Sequence, residues 1–225
     1  MRQDLERVSS AFEENTKNHV LTVLVDSDVN RIMRFGHKDG SSVFCVKVMQ
    51  TEGEIAYVGD MGCFCFGNHN ADMLAWFKGN TSLQYINDKC RTGDTAEYDE
   101  KKAKQWVEAD ILDYCEQNFS DYLDANEITD EECQVEKSAW IDSLIEEVMS
   151  EIDFENEYTF HSSINNLEIN INKWMVCDVY DVHDVHDLID IKRYTHRFVW
   201  CVLAMNKIAE LYFSGDYIAE VPDGV

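Results

Sequence analysis

The sequence predicts an α+β protein: a small antiparallel sheet in the N-terminal third, then a mainly helical part with a central buried C-terminal helix. Three observations predict it. Runs rich in β-branched and aromatic residues, parted by glycine turns, crowd residues 19–66; no glycine occurs between Gly93 and Gly215 and the only proline is Pro222; and FVWCVLAM at 198–205 is apolar on every side. Sequence free of breakers sustains long helices, and a helix that is apolar all round is buried by its neighbours. The pattern divides after residue 93, into a sheet region at 1–93 and an acidic helical region at 94–225 expected to pack as one compact unit.

Each element follows from its spacing. Leu5, Val8 and Phe12 recur at helical intervals within 2–14, so a short amphipathic helix opens the fold. The runs HVLTVLV (19–25), SVFCVKVMQ (42–50), EIAYV (54–58) and CFCF (63–66) read as strands, and Gly59-Asp60-Met61-Gly62 reads as a hairpin turn. Cys63 and Cys65 are expected on opposite strand faces. Asn70 is placed to cap ADMLAWFKG, and Thr81 or Ser82 to cap LQYINDKC. One long helix carries the stripe Ala103, Val107, Ile111, Cys115, Phe119 and Leu123. In the next, Thr129 and Glu132 form a capping box ahead of Trp140, Leu144, Val148 and Ile152. NEYTFHSSINNLEININKW (156–174) fits either a short helix or a strand.

Charge separates this chain from ordinary domains. Forty-four Asp and Glu against 19 Lys and Arg leave a net charge of −25, in a chain that is 45% hydrophobic and so too apolar to be a disordered acidic tail. Residues 94–157 hold 22 of the acids and four lysines. A field of that sign repels nucleic acid and anionic membranes and attracts basic proteins or cations. The eight cysteines form no C-x-x-C pair and several lie in apolar runs, so they are expected to be reduced. A charged N-terminus and no apolar run of spanning length imply a soluble, cytoplasmic protein.

Carboxylates at three- and four-residue separations on a helix stand about 5 to 6 Å apart. Glu108, Asp113, Glu116, Asp121, Asp124, Glu136, Glu146, Glu147 and Glu151 are expected to form such rows, with Asp181 and Asp184 of the repeat DVYDVHDVHDLID adding another. Double-stranded DNA carries a phosphate about every 1.7 Å of axis, and grooves built to hold it are lined with Lys and Arg. Rows of carboxylates on rigid helices suit such a groove. The expected partner is therefore a basic nucleic-acid-binding protein or complex, with no direct contact to nucleic acid and no cofactor.

A metal reading competes. His183 and His186 lie one turn apart, with Asp187 or Asp190 as an oxygen ligand, a donor set that suits zinc, manganese or iron. A sharper version pairs His161, the His186-Asp187 doublet and Asp216, which have the H…HD…D order of the ligand set of metal-dependent phosphohydrolases. Other catalytic patterns are missing: the chain has no G-x-S-x-G, no Walker loop, no Gly-rich dinucleotide turn and no H-E-x-x-H.

Two segments carry a resemblance. IAYVGDMGCFCFGNHNADMLAWFKGNTSLQYINDKC (55–90) and YTHRFVWCVLAMNKIAELY (194–212) resemble a group of bacteriophage proteins with a G-D-x-G strand-turn-strand, a helix ending in a W-F or F-F pair, and a closing H-R-F-x-W-C helix. Met61 stands where that group has an aromatic residue. The resemblance implies a phage origin and action in the host cytoplasm, and it transfers no site residue. In charge and size the chain is similar to inhibitors of host defence, including DNA-mimicking anti-CRISPR and anti-restriction proteins.

Overall fold

The computed structural model describes residues 2–80, 82–126, 133–165, 167, 169–171, 174–176 and 191–220, and the protein is α+β. Its residues group into two compact units, Met1–Glu97 with Tyr194–Val225 and, separately, Tyr98–Arg193. The chain thus leaves the sheet-bearing unit at 97, four residues after the division read from sequence, and its closing helix belongs with the sheet.

In the first unit, α1 (Arg2–Thr16) buries Val8 and Phe12. Five strands follow as an antiparallel meander: β1 (His19–Ser27), β2 (Asn30–His37), β3 (Val46–Thr51), β4 (Glu54–Gly59) and β5 (Gly62–Gly67). Alternation puts Leu21, Val23, Met33, Phe35, Val46, Val48, Ile55, Tyr57, Phe64 and Phe66 on the buried face. Cys63 and Cys65, two residues apart, share the outer face while Phe64 points inward, which corrects the expectation that the cysteines split between faces. Asp60 and Met61 form the two-residue turn between β4 and β5. Gly59 is obligatory beside it, since a Cβ there would collide with the Cys45 carbonyl.

Two short helices, α2 (Met73–Phe77) and α3 (Leu83–Asn87), close over the sheet's core, and β6 (Cys90–Thr92) adds an edge strand beside β5. The Ser82 side chain accepts from the Tyr85 N–H, as its position implied. The cap of α2 is Asp72 rather than Asn70: its carboxylate accepts from the Ala75 N–H at 3.1 Å. A strand β7 (Ala96–Tyr98) then leads out of the unit.

The second unit is built on α4 (Glu100–Asn126) and α5 (Cys133–Glu151), followed by α6 (Glu157–Asn165) and a hairpin of β8 (Ile169–Ile171) and β9 (Trp174–Val176). The ambiguous segment at 156–174 is therefore both a helix and a strand. Ala103, Val107, Ile111 and Cys115 of α4 pack with Trp140, Leu144 and Val148 of α5, and Phe154 and Phe160 extend this core. Thr129 and Glu132, the expected capping box, lie outside the described residues, as does the repeat at 178–190. A short strand, β10 (Lys192–Tyr194), leads back.

The return helix α7 (His196–Ser214) begins where the Thr195 side chain accepts from the Phe198 N–H, and it ends at Gly215 in the left-handed conformation, φ 79°. Phe198 to Val202, Ala204 and Met205 are all buried, as their unbroken apolar run requires. Beyond it, β11 (Ile218–Ala219) pairs parallel with β1, making a seven-stranded sheet of order β11-β1-β2-β3-β4-β5-β6.

One ion pair ties these pieces together. Arg31 of β2 is buried, and its Nη1 donates to Asp72 Oδ1 at 2.7 Å while its Nε donates to the Tyr212 hydroxyl at 3.1 Å. Tyr212 in turn donates to Asp26 at 2.9 Å. Gln50 of β3 donates to the same Asp72 oxygen at 3.1 Å and accepts from the Leu74 N–H at 2.7 Å. Burial alone would raise the Asp72 pKa, but hydrogen bonds from Arg31, the Ala75 N–H and Gln50 hold the carboxyl below its ordinary value.

Removing Arg31 leaves Asp72 half-buried and uncompensated, so Arg31→Ala is expected to destabilise the fold by roughly 3 kcal/mol, measured by urea denaturation. The pH dependence follows from the sign of the Asp72 shift. Its contribution is complete above the unfolded carboxyl's value of about 3.9 and is lost as pH falls through the lower folded value. Wild type is therefore expected to exceed Asp72→Asn in melting temperature at pH 7, with the gap closing toward pH 2.

Candidate functional site

The second unit concentrates the charge. Residues 98–193 hold 26 Asp and Glu against seven Lys and Arg, a net of −19, which leaves −6 for the other 129 residues. The described stretches of the apolar stripes of α4 and α5 face the core, and several carboxylates between them face solvent. Glu108, Asp113, Glu116, Glu146 and Glu151 are exposed and Glu147 is half-buried. Asp121 and Asp124 fall in the last turns of α4, and Glu136 in the first turn of α5. Asp181 and Asp184 lie outside the described residues.

The few cations are not spread to neutralise these rows. Lys101, Lys102 and Lys104 sit in the first turns of α4, and Lys192 and Arg193 precede the return to the first unit. Lys104 pairs with Glu100 at 2.6 Å, Lys192 with Glu157 at 2.7 Å, and Lys102 donates to the Lys192 carbonyl at 2.7 Å. From residue 105 to 172 the chain has 19 acids and one base, Lys137. Neither long helix has a cation in its last turn, where one would favour the helix dipole. Asp113 and Glu116, Asp142 and Glu146, and Glu147 and Glu151 stand at like-charge spacings that each cost about 0.2–0.5 kcal/mol. Burial first, and then the nearby Glu100, Asp153, Asp99 and Glu157, push the Tyr98 hydroxyl up to about 12.

The residues of the metal reading are not assembled by the described structure. His161 lies half-buried on α6 with Nε2 3.9 Å from Glu157, and Asp216 is exposed just past the end of α7 in the other unit. His183, His186, Asp187 and Asp190 fall outside the described residues. Among the described residues there is no group of three or more His, Cys, Asp or Glu placed to hold a metal ion, and no helix is long and apolar enough to cross a membrane. The six described cysteines are unbridged.

No family model, curated protein or solved structure matches the chain. The site therefore rests on its own geometry. Sequence reasoning missed one feature, a groove of the first unit beside α1 and α7 with His19 in its wall. Its only signal was a histidine at an inward position of β1.

If the carboxylate rows repel one another as their spacing implies, salt should stabilise the protein. Between about 0.01 M and 1 M salt the screening length falls from about 30 Å to 3 Å. The melting temperature is expected to rise by about 2–4 °C, the shift given by 1 kcal/mol in a chain of this size. An unchanged or lower value in a calorimetric salt series would mean that the acidic faces carry no appreciable strain.

Proposed function

We propose that the protein is a non-enzymatic inhibitor that uses the acidic faces of α4 and α5 to occupy a basic nucleic-acid groove of another protein. The observation that carries this reading is the segregation of charge: 19 of the 25 net negative charges lie in one 96-residue unit, 12 of whose acids are on α4 and α5, with almost no compensating cation between residues 105 and 172. Solubility alone is served by acids and bases interspersed. A rigid, one-signed surface gives fast, salt-dependent association with a surface of opposite sign.

The resemblance of residues 55–90 and 194–212 to bacteriophage proteins supports a finer version, in which the target is a host defence complex that handles nucleic acid, of the anti-CRISPR or anti-restriction kind. In that version the carboxylates stand in for backbone phosphates, and inhibition is stoichiometric and needs no cofactor.

The test is capture from a bacterial lysate with wild type and with the triple reversal Glu108→Lys, Asp113→Lys, Glu116→Lys. These side chains are exposed, so the variant is expected to keep its circular dichroism spectrum and to melt no lower than wild type. Binding of the captured partner is expected to weaken at least about tenfold, the effect of 1.4 kcal/mol. Unchanged binding by a folded triple variant would remove α4 from the interface and defeat the reading.

A further inference from the structure

We propose that the outer face of the seven-stranded sheet, the side away from the core beneath α1, α2, α3 and α7, is a two-fold interface on which a second copy of the chain docks. An antiparallel sheet with one face in water normally alternates apolar inward with polar outward. Here the outward positions are apolar too. The strand register lines up Val25, Ile32, Met49, Ala56 and Cys65, one from each of β1 to β5, as a single row across the outer face. Val25, Ile32 and Met49 are 44%, 38% and 43% exposed, and Val58 in the next row is 39% exposed. Exposed apolar side chains that gather on one face, rather than scatter singly, mark an interaction site.

The charges on this face are sorted. The row that holds Val58 also holds Arg34 and Lys47, which are register partners across β2 and β3. Like charges directly opposite on a sheet are destabilising. Among the described residues neither enters an ion pair, and Arg34 donates to the Ser41 carbonyl at 3.3 Å. On the other side of the apolar row, the β1–β2 turn carries Asp28 and the β3–β4 turn carries Glu52, both exposed and also outside any ion pair among the described residues. The face thus has an apolar middle, cations on one flank and acids on the other.

That layout complements itself. A two-fold axis along the apolar row sets the sheets face to face, with each strand antiparallel to its own copy and Met49 against the partner subunit's Met49. Lys47, two residues before Met49, then comes over Thr51 of the partner subunit, next to the partner's Glu52. The Arg34 guanidinium lies over Gly36, where an added Cβ would be 3.0 Å from it. It therefore sits at the level four residues after Ile32, facing Asp28 of the partner subunit, four residues before. A foreign partner of one sign would satisfy one flank and oppose the other. Five strands about 4.8 Å apart, each about six residues of 3.4 Å, make a face of roughly 24 by 20 Å. Two copies would bury about 1,000 Å², the lower limit of a specific interface, so a Kd of about 1–100 µM is expected.

The test is sedimentation velocity of the full chain from about 1 to 300 µM, spanning that Kd, in a reductant that keeps the exposed Cys63 from bridging copies. Monomer is expected to give way to dimer across the range. Met49→Arg, at the centre of the row, should raise the Kd at least about tenfold. Lys47→Glu should do the same while the monomer's melting temperature holds or rises, because the like-charge pair with Arg34 becomes an opposite one. It serves if the Met49 variant does not fold. Adding Glu52→Lys to Lys47→Glu should bring the Kd back to within about threefold of wild type. A chain still monomeric at about 300 µM, folded single variants that dimerise as well as wild type, or a double variant no better than Lys47→Glu would each overturn the proposal.

Discussion

The pair between Arg31 and Asp72 is the interaction on which the architecture turns. It joins β2 to the first turn of α2, and through Gln50 and Tyr212 it adds β3, the end of α7 and Asp26 of β1. An arginine at an inward position of a sheet is costly unless its charge is paired; here Asp72 accepts from Nη1 and the Tyr212 hydroxyl from Nε, and the guanidinium also lies 4.7 Å from the Tyr212 ring centre. The consequence reaches beyond the local network. By fixing the far end of α7, the pair helps fix the element that closes the first unit after an excursion of 96 residues. At the near end of α7, Thr195 holds the outgoing chain, its N–H donating to the Thr95 carbonyl at 3.0 Å and its hydroxyl to the Asp94 carbonyl at 2.8 Å. The second unit is thus spliced into a scaffold whose exit and return are held side by side.

That division lets one unit carry a charge that the other does not share. The first unit uses its acids structurally, as partners for Arg31, as a cap on α2 and as the Asp60 acceptor for the Phe44 N–H. The second unit uses few of its acids this way. Its stability rests on a core of its own, with Ile111, Leu144, Val148 and Phe160 almost wholly buried, so its outer faces can take a single sign without disturbing that core. Helices whose last turns lack cations and whose like charges stand three and four residues apart give up stability that a mixed surface would keep.

Much of this was legible in the sequence, and the rest was hidden for identifiable reasons. The stripe from Ala103 to Cys115, the stripe from Trp140 to Ile152 and the unbroken run of α7 announced themselves by period, because burial on one face or all faces writes itself directly into spacing. Strand β2 did not, because its inward positions include Arg31, and a charged residue there breaks the apolar alternation that marks a strand. The cap of α2 was placed two residues early because Asn70 and Asp72 both have capping side chains, and only the tertiary pull of Arg31 and Gln50 selects Asp72. The short strands β6 and β11 depend on partners distant in sequence. So does the His19 groove, whose walls come from α1, β1, β2 and α7.

The central claim is that the acidic unit takes the place of a nucleic acid, and competition for one site tests it most directly. The partner captured by the protein would be loaded with labelled duplex DNA and titrated with the full chain at fixed ionic strength, following DNA release and the composition of the complex. Stoichiometric displacement of DNA, with no species containing all three components, is the expected result. A stable ternary complex, with DNA affinity unchanged at saturating protein, would contradict the account.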